Sequence, residues 1–160
     1  MNNNRILTRV LLIVLAAALL TGIVIGAGAI INVIKRKSDI AKIEKRYPDA
    51  IITPSGLRYI VLEESNGPKP SAGRTVRVNY IGTMLSGTVF ENTYEQGSPL
   101  EFEVGQNQAI LGFEEAIMDM REGEKRLVII PPELGYGRFR KAIIPGNSFI
   151  IFELQLFRIR

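Results

Sequence analysis

From Gly56 onward the hydrophobic pattern repeats every second residue, and this period limits the fold more than any other feature of the chain. Leu57, Tyr59 and Val61 alternate with Arg58 and Ile60, Val76, Val78 and Tyr80 with Thr75, Arg77 and Asn79, and Leu100, Phe102 and Val104 with Glu101 and Glu103. Successive side chains of a strand point to opposite faces, so each run reads as a half-buried strand of an antiparallel sheet. Two richer apolar runs, Lys125–Ile130 and Ser148–Ile159, suit its centre. One segment alone has helical spacing: Ile110, Phe113, Ile117 and Met120 share a face, Glu114, Glu115 and Asp119 take the other, and Gly123 supplies a stop. The predicted fold is α+β, a curved antiparallel sheet wrapped around one short α-helix, with a cleft between them as the natural pocket.

The chain has no His and no Cys. That excludes an imidazole base, a thiolate nucleophile and an ordinary zinc site, and no cofactor is implied. Any catalysis must rest on burial, shape and hydrogen bonds. Six aromatic residues, Tyr80, Phe90, Phe102, Phe113, Tyr136 and Phe152, are spread through the β-rich part and suggest an apolar pocket. The net charge of +4 divides unevenly: residues 1–56 hold 8 Lys/Arg against 3 acids, residues 57–160 hold 12 against 13. The basic excess lies outside the β-rich part, which lacks the basic stripe that phosphate binding requires, so nucleic acid is not an expected partner.

No charged residue occurs from Val10 to Ile34. At 1.5 Å per residue such a helix exceeds the roughly 30 Å hydrocarbon core, so residues 1–34 are read as an N-terminal tail and a single transmembrane signal-anchor meeting phospholipid through residues 10–34. A cleavable signal peptide is the competing reading, with Ala27-Gly28-Ala29 as its small-residue site; the long apolar run favours an anchor. Lys35, Arg36 and Lys37 after the span favour a cytoplasmic C-terminal part by the positive-inside rule, whereas the short basic tail resembles a signal-anchor that sends it outward. Residues 35–56 read as a basic polar connector, with a short helix that Tyr47-Pro48 should end and a turn at Pro54-Ser55-Gly56, leaving 57–160 as the folded domain.

Within that domain, Val78-Asn79-Tyr80-Ile81-Gly82, Gly87, Phe90, Phe102-Glu103-Val104-Gly105, Ile110-Leu111-Gly112-Phe113-Glu114-Glu115-Ala116, Met120-Arg121-Glu122-Gly123-Glu124, Pro132-Glu133-Leu134-Gly135-Tyr136-Gly137, Ile143-Ile144-Pro145 and Phe152-Glu153-Leu154 follow in order. Together they closely resemble the FKBP-type peptidyl-prolyl cis-trans isomerase family, from about Thr53 to the C-terminus. The Thr53-Pro54-Ser55-Gly56-Leu57 approach resembles bacterial members with N-terminal extensions, which leans the domain toward an extracytoplasmic, periplasmic site.

The resemblance implies that Tyr80, Phe90, Phe102, Ile110 and Phe152 line a proline pocket and Phe113 forms its floor. It further implies that the Tyr136 hydroxyl and the Ile110 N–H meet substrate carbonyls, and that Ala109, Ile143 and Ile144 sit at the rim. Three positions depart from the family pattern: Glu91 replaces the usual Asp after the pocket Phe, Phe113 the usual Trp, and the short basic loop 138–142 a Gly-rich stretch. The implied partners are proline-containing unfolded or partly folded polypeptides, and macrolide-type inhibitors. The implied activity is rotation about X–Pro bonds in support of protein folding at a membrane. A membrane-anchored chaperone that holds Pro-containing segments with little turnover is the alternative, and a tether that only docks a partner protein a weaker third.

Other acidic pairs read as solvated faces: Glu63-Glu64 at a strand end, Glu101/Glu103 on a polar strand face and Glu114-Glu115 on the exposed side of the helix. Arg138, Arg140 and Lys141 lie beside the predicted pocket and either favour acidic residues flanking the substrate proline or are a solvated loop, the latter being slightly preferred.

Overall fold

The computed structural model describes residues 28–160, so residues 10–27 of the expected span lie outside the described residues. The chain divides after Ala41 into two compact units. In the first, the described residues are helical, Ile30, Ile31, Val33 and Ile34 are largely exposed, and Lys35 pairs with Asp39 one turn on at 3.3 Å. Among the described residues no helix is long and apolar enough to cross a membrane.

The second unit begins at Lys42. Its opening helical turn ends at Arg46, just before Tyr47-Pro48, because the proline ring disfavours helical geometry at the residue before it. The stretch read as a solvated connector contributes more than a spacer. Ile43 is fully buried, Glu44 pairs with Arg58 at 3.4 Å, and Ile51–Ile52 forms an edge strand, β1. The remaining strands are β2 (Arg58–Glu63), β3 (Thr75–Met84), β4 (Val89–Asn92), β5 (Leu100–Glu103), β6 (Lys125–Ile130) and β7 (Ile150–Ile159). Every pairing is antiparallel, in the order β1-β2-β6-β7-β3-β4. β3 shares its outer edge between β5 at its start and β4 at its end. As predicted, the two richest apolar runs, β6 and β7, are interior strands.

Alternation is cleanest in β3, where Val76, Val78 and Tyr80 are buried and the residues between them half-exposed. The sheet curves around α2 (Leu111–Asp119), whose Phe113, Ala116 and Ile117, with Met120 just beyond it, enter one core with Val76, Val78, Phe102, Val128, Phe152, Leu154 and Leu156. α2 can lie so close to β6 because residue 112 has no side chain: a Cβ there would come within 2.6 Å of Ile130. The short turns carry no periodic signal. The single turn α1 (Thr93–Gln96) is defined by its ends: the Asn92 side chain accepts the Tyr94 and Glu95 N–H groups, and Gly97 closes it at φ 64°. A 3-10 turn at Pro132–Leu134 likewise follows local Pro chemistry.

Candidate active site

Between α2 and the concave face of the sheet lies an open cleft of about 370 Å³. Its base is a triad of rings from three elements. Tyr80 of β3, Phe113 of α2 and Phe152 of β7 meet edge to face, with centroids 5.3 Å (Tyr80–Phe113), 5.5 Å (Tyr80–Phe152) and 5.3 Å (Phe113–Phe152) apart. Such pairs contribute about 0.5–1.5 kcal/mol each beyond the area they bury, so the base is stiff. The register explains the meeting: Gly82 of β3 lies opposite Phe152, and a Cβ on Gly82 would fall 2.6 Å from the Phe90 ring and 3.0 Å from the Phe152 ring.

Ala109, Ile110, Tyr136 and Glu91 complete the lining foreseen from sequence. Phe90, Phe102, Ile143 and Ile144 do not line the cleft. Phe90 meets Phe152 edge-on at 5.7 Å and Phe102 tilts against Phe113 at 5.9 Å, so both extend the ring cluster of the base, Phe102 buried and Phe90 half-exposed. Ile144 is buried in the main core and Ile143 is 49% exposed. Leu100 and Gln108 also line the cleft without having been named for it, and Lys141, expected beside the pocket, is part of its lining. Leu100 had a signal, since it shares a strand face with Phe102. Gln108 had none; its Oε1 accepts the Glu103 N–H at 3.1 Å and straps the entry loop to β5.

Ile110 is the N-cap of α2, with no side-chain cap, and its own N–H has no protein acceptor among the described residues. The loop that delivers Ile110 is held by a residue the sequence reading misplaced. Glu114, expected on the solvated side of the helix, is only 6% exposed, its Oε2 accepting the Gly105 N–H at 2.8 Å and its Oε1 the Ala109 N–H at 3.0 Å. Helical spacing left it on the polar face because the loop that folds back over that face is invisible to periodicity. Glu115 is also engaged, accepting Thr53 Oγ1 at 3.0 Å and Ser55 Oγ at 2.7 Å. The other two acidic pairs are exposed as expected.

Burial, then a hydrogen bond to Glu91 and the Glu91 charge, push the Tyr80 phenol above its ordinary range; burial, then the Glu91 charge, do the same for Tyr136. Both hydroxyls therefore remain protonated donors at neutral pH. The cleft offers an apolar, ring-floored seat whose donors include the Tyr136 hydroxyl and the Ile110 N–H.

Residues 67–157 match the sequence model of the FKBP-type peptidyl-prolyl cis-trans isomerases. The chain belongs to that family. The isomerase is 43% identical over 107 residues to FK506-binding protein 1A of Neurospora crassa, covering 66% of this chain and 89% of that protein. It is 37% identical over 117 residues to the outer membrane protein MIP of Legionella longbeachae, covering 72% of this chain and 49% of that one. The crystal structure of FkpA from Escherichia coli superposes with a TM-score of 0.71 at 32% identity, over 79% of this chain and 59% of that one. As an isomerase of this type, the protein accelerates cis-trans rotation of peptide bonds that precede proline.

Proposed function

We propose that the cleft is where this isomerase turns over X–Pro bonds of unfolded or partly folded client chains, and that it does so at a membrane. The observation that carries the reading is the Tyr80–Phe113–Phe152 triad forming the base of a cleft that Ile110 and Tyr136 also line. The proline ring packs on the triad, the Ile110 N–H and the Tyr136 hydroxyl hold backbone carbonyls on either side, and the X–Pro bond is left free to turn.

Amide resonance sets the barrier, roughly 18–20 kcal/mol, and the twisted transition state loses that resonance and its charge separation. An apolar seat favours the less polar twisted state by stripping water from the planar one. Fixed donors orient the flanking carbonyls before rotation starts. No proton moves, which suits a cleft without His or Cys. The Tyr80 ring is kept in place by its edge-to-face contacts with Phe113 and Phe152. Family membership and the name of the related FK506-binding protein 1A extend the reading to macrolide-type inhibitors in the same cleft.

The membrane part draws on the uncharged run from Val10 to Ile34 and on the likeness to an outer membrane protein, and with the latter we place the domain on the extracytoplasmic side. Two measurements test the proposal. Full-length protein in non-ionic detergent should accelerate isomerisation of short apolar-X–Pro peptides, and a macrolide that blocks the cleft should abolish the acceleration. Binding without acceleration would make the chain a holding module instead. Protease added outside spheroplasts should remove the domain; complete protection would place it in the cytoplasm.

A further inference from the structure

Only two charged side chains line the cleft, Glu91 and Lys141, and no ion pair joins them. Lys141 belongs to a run, Arg138-Phe139-Arg140-Lys141, with three cations in four positions and no acid before Ile144. This is a local reversal of sign, since residues 57–160 hold 12 cations against 13 acids.

Of the nine other cations in residues 57–160, five reach carboxylates among the described residues: Arg58 reaches Glu44, Lys69 Asp119, Arg77 Glu101, Lys125 Glu153, and Arg126 both Asp119 and Glu124, whereas Arg74, Arg121, Arg158 and Arg160 form no ion pair. Among the described residues, Arg138, Arg140 and Lys141 reach none. Arg138 lies over the Phe139 ring at 4.9 Å, and Arg140 donates from Nε to the Ala142 carbonyl at 2.9 Å. A cluster of three exposed cations without a paired carboxylate costs repulsion.

The run is not a floppy tail. Lys141 and Ile144 exchange both backbone hydrogen bonds, 3.0 and 2.9 Å, across a tight turn in which Ala142 takes φ 50°. The Asn147 N–H returns to the Gly137 carbonyl at 2.8 Å, and any Cβ on Gly146 would collide with the Arg138 carbonyl. The backbone under Lys141 is therefore pinned at both ends, with its side chain at the mouth of the cleft.

We propose that Lys141, reinforced by Arg138 and Arg140, selects client segments carrying Asp or Glu directly beside the substrate proline. The inference rests on the cleft being the X–Pro site. A neighbouring residue lies about 3.8 Å along the chain from a bound proline, which brings its side chain to the cleft mouth where Lys141 stands. The same three cations supply the repulsive element that specificity needs, against Lys or Arg beside the proline.

The test uses full-length protein in non-ionic detergent and three matched peptides with Glu, Gln or Lys next to an otherwise identical X–Pro unit, on either side of it. At about 0.01 M salt, where the Debye length is about 30 Å, kcat/KM for the Glu peptide should exceed that for the Lys peptide roughly threefold to tenfold on at least one side. At about 1 M salt, where it is about 3 Å, the ratio should approach one. Lys141→Glu should invert the low-salt order, and Arg138→Gln with Arg140→Gln should reduce the ratio without inverting it. Equal rates for the Glu and Lys peptides at low salt, or a Glu/Lys ratio unchanged in Lys141→Glu, overturn the inference. The salt series on the unmutated protein decides alone if a loop variant misfolds. Turnover of the Gln peptide reports separately on the cleft: if it persists while charge makes no difference, only the selection fails, and if no peptide is turned over, both readings fail.

Discussion

The Glu114 carboxylate accepts the backbone N–H of Ala109 at 3.0 Å, from a helix residue to the loop that precedes its own helix. With its second oxygen on the Gly105 N–H, one side chain spans both ends of the five-residue entry to the cleft. Glu114→Gln keeps the shape but turns an amide NH2 toward one of two backbone donors. The expected loss is about 1–3 kcal/mol of unfolding free energy, as for a buried donor left without its acceptor, with reduced isomerase activity because Ala109 and Ile110 lose their anchor. Chemical denaturation measures it. Stability equal to wild type would mean that other contacts hold the loop.

Tyr136→Phe removes a hydroxyl and leaves the ring. The lost hydrogen bond to a substrate carbonyl should lower kcat/KM by the equivalent of about 0.5–1.5 kcal/mol, with the melting temperature nearly unchanged. An unaltered kcat/KM would remove Tyr136 from the substrate contacts.

Phe113 stands where the family usually has an indole, and away from the cleft it is closely packed. It is 3% exposed and touches the Tyr80, Phe102 and Phe152 rings. Phe113→Trp should therefore overpack the base and cost about 1–3 kcal/mol of stability, and activity should fall with it. Tighter inhibitor binding together with unchanged stability would show instead that the base has spare room.

The pH dependence follows from the two cleft tyrosines and from Asp119. Tyr80 and Tyr136 titrate above their ordinary value, burial being the first cause and Glu91 the second, so neither ionises near neutrality. The catalytic rate should be flat from about pH 6 to about pH 9, and a bell centred near pH 7 would expose a titrating group in the mechanism. Because the folded tyrosines hold their protons longer than unfolded ones, their contribution to stability is complete below about pH 10 and is lost as pH rises beyond it. Asp119 behaves in the opposite sense. Burial raises its pKa, but hydrogen bonds from Lys69 and Arg126 outweigh that and hold it below the ordinary carboxylate range. Its contribution is present above about pH 4 and is lost as pH falls through the lowered folded value. Thermal melts across the acid and alkaline limbs should show both slopes.

Strand identity was legible in residues such as Val76, Val78 and Tyr80, because a strand with one buried face must alternate and β3 does so over its buried length. The helix around Phe113 was legible for the same reason at its own period. β4, α1 and the 3-10 turn were not, since elements of three or four residues are too short to show a period and depend on caps such as Asn92.

The aromatic residues of the cleft could be named from sequence, but not sorted into lining and bracing positions. Phe90 and Phe152 look alike in the chain. Only the fold shows that Phe152 meets both Tyr80 and Phe113 while Phe90 meets Phe152 alone, both rings lying close over Gly82. Glu114 shows the same limit from the polar side. Helical spacing assigns it a face, but whether that face meets water depends on where the 105–109 loop returns, which no local pattern encodes.

What the sequence determined by itself was the period of each long element, the lack of imidazole and thiol side chains, and the charge of each segment, because these are read directly from the order of residues. What only the tertiary structure decided was which rings meet, which carboxylate is buried and which loop cation stands at the cleft. Those depend on strand register and loop return, where residues far apart in the chain are brought within hydrogen-bonding distance.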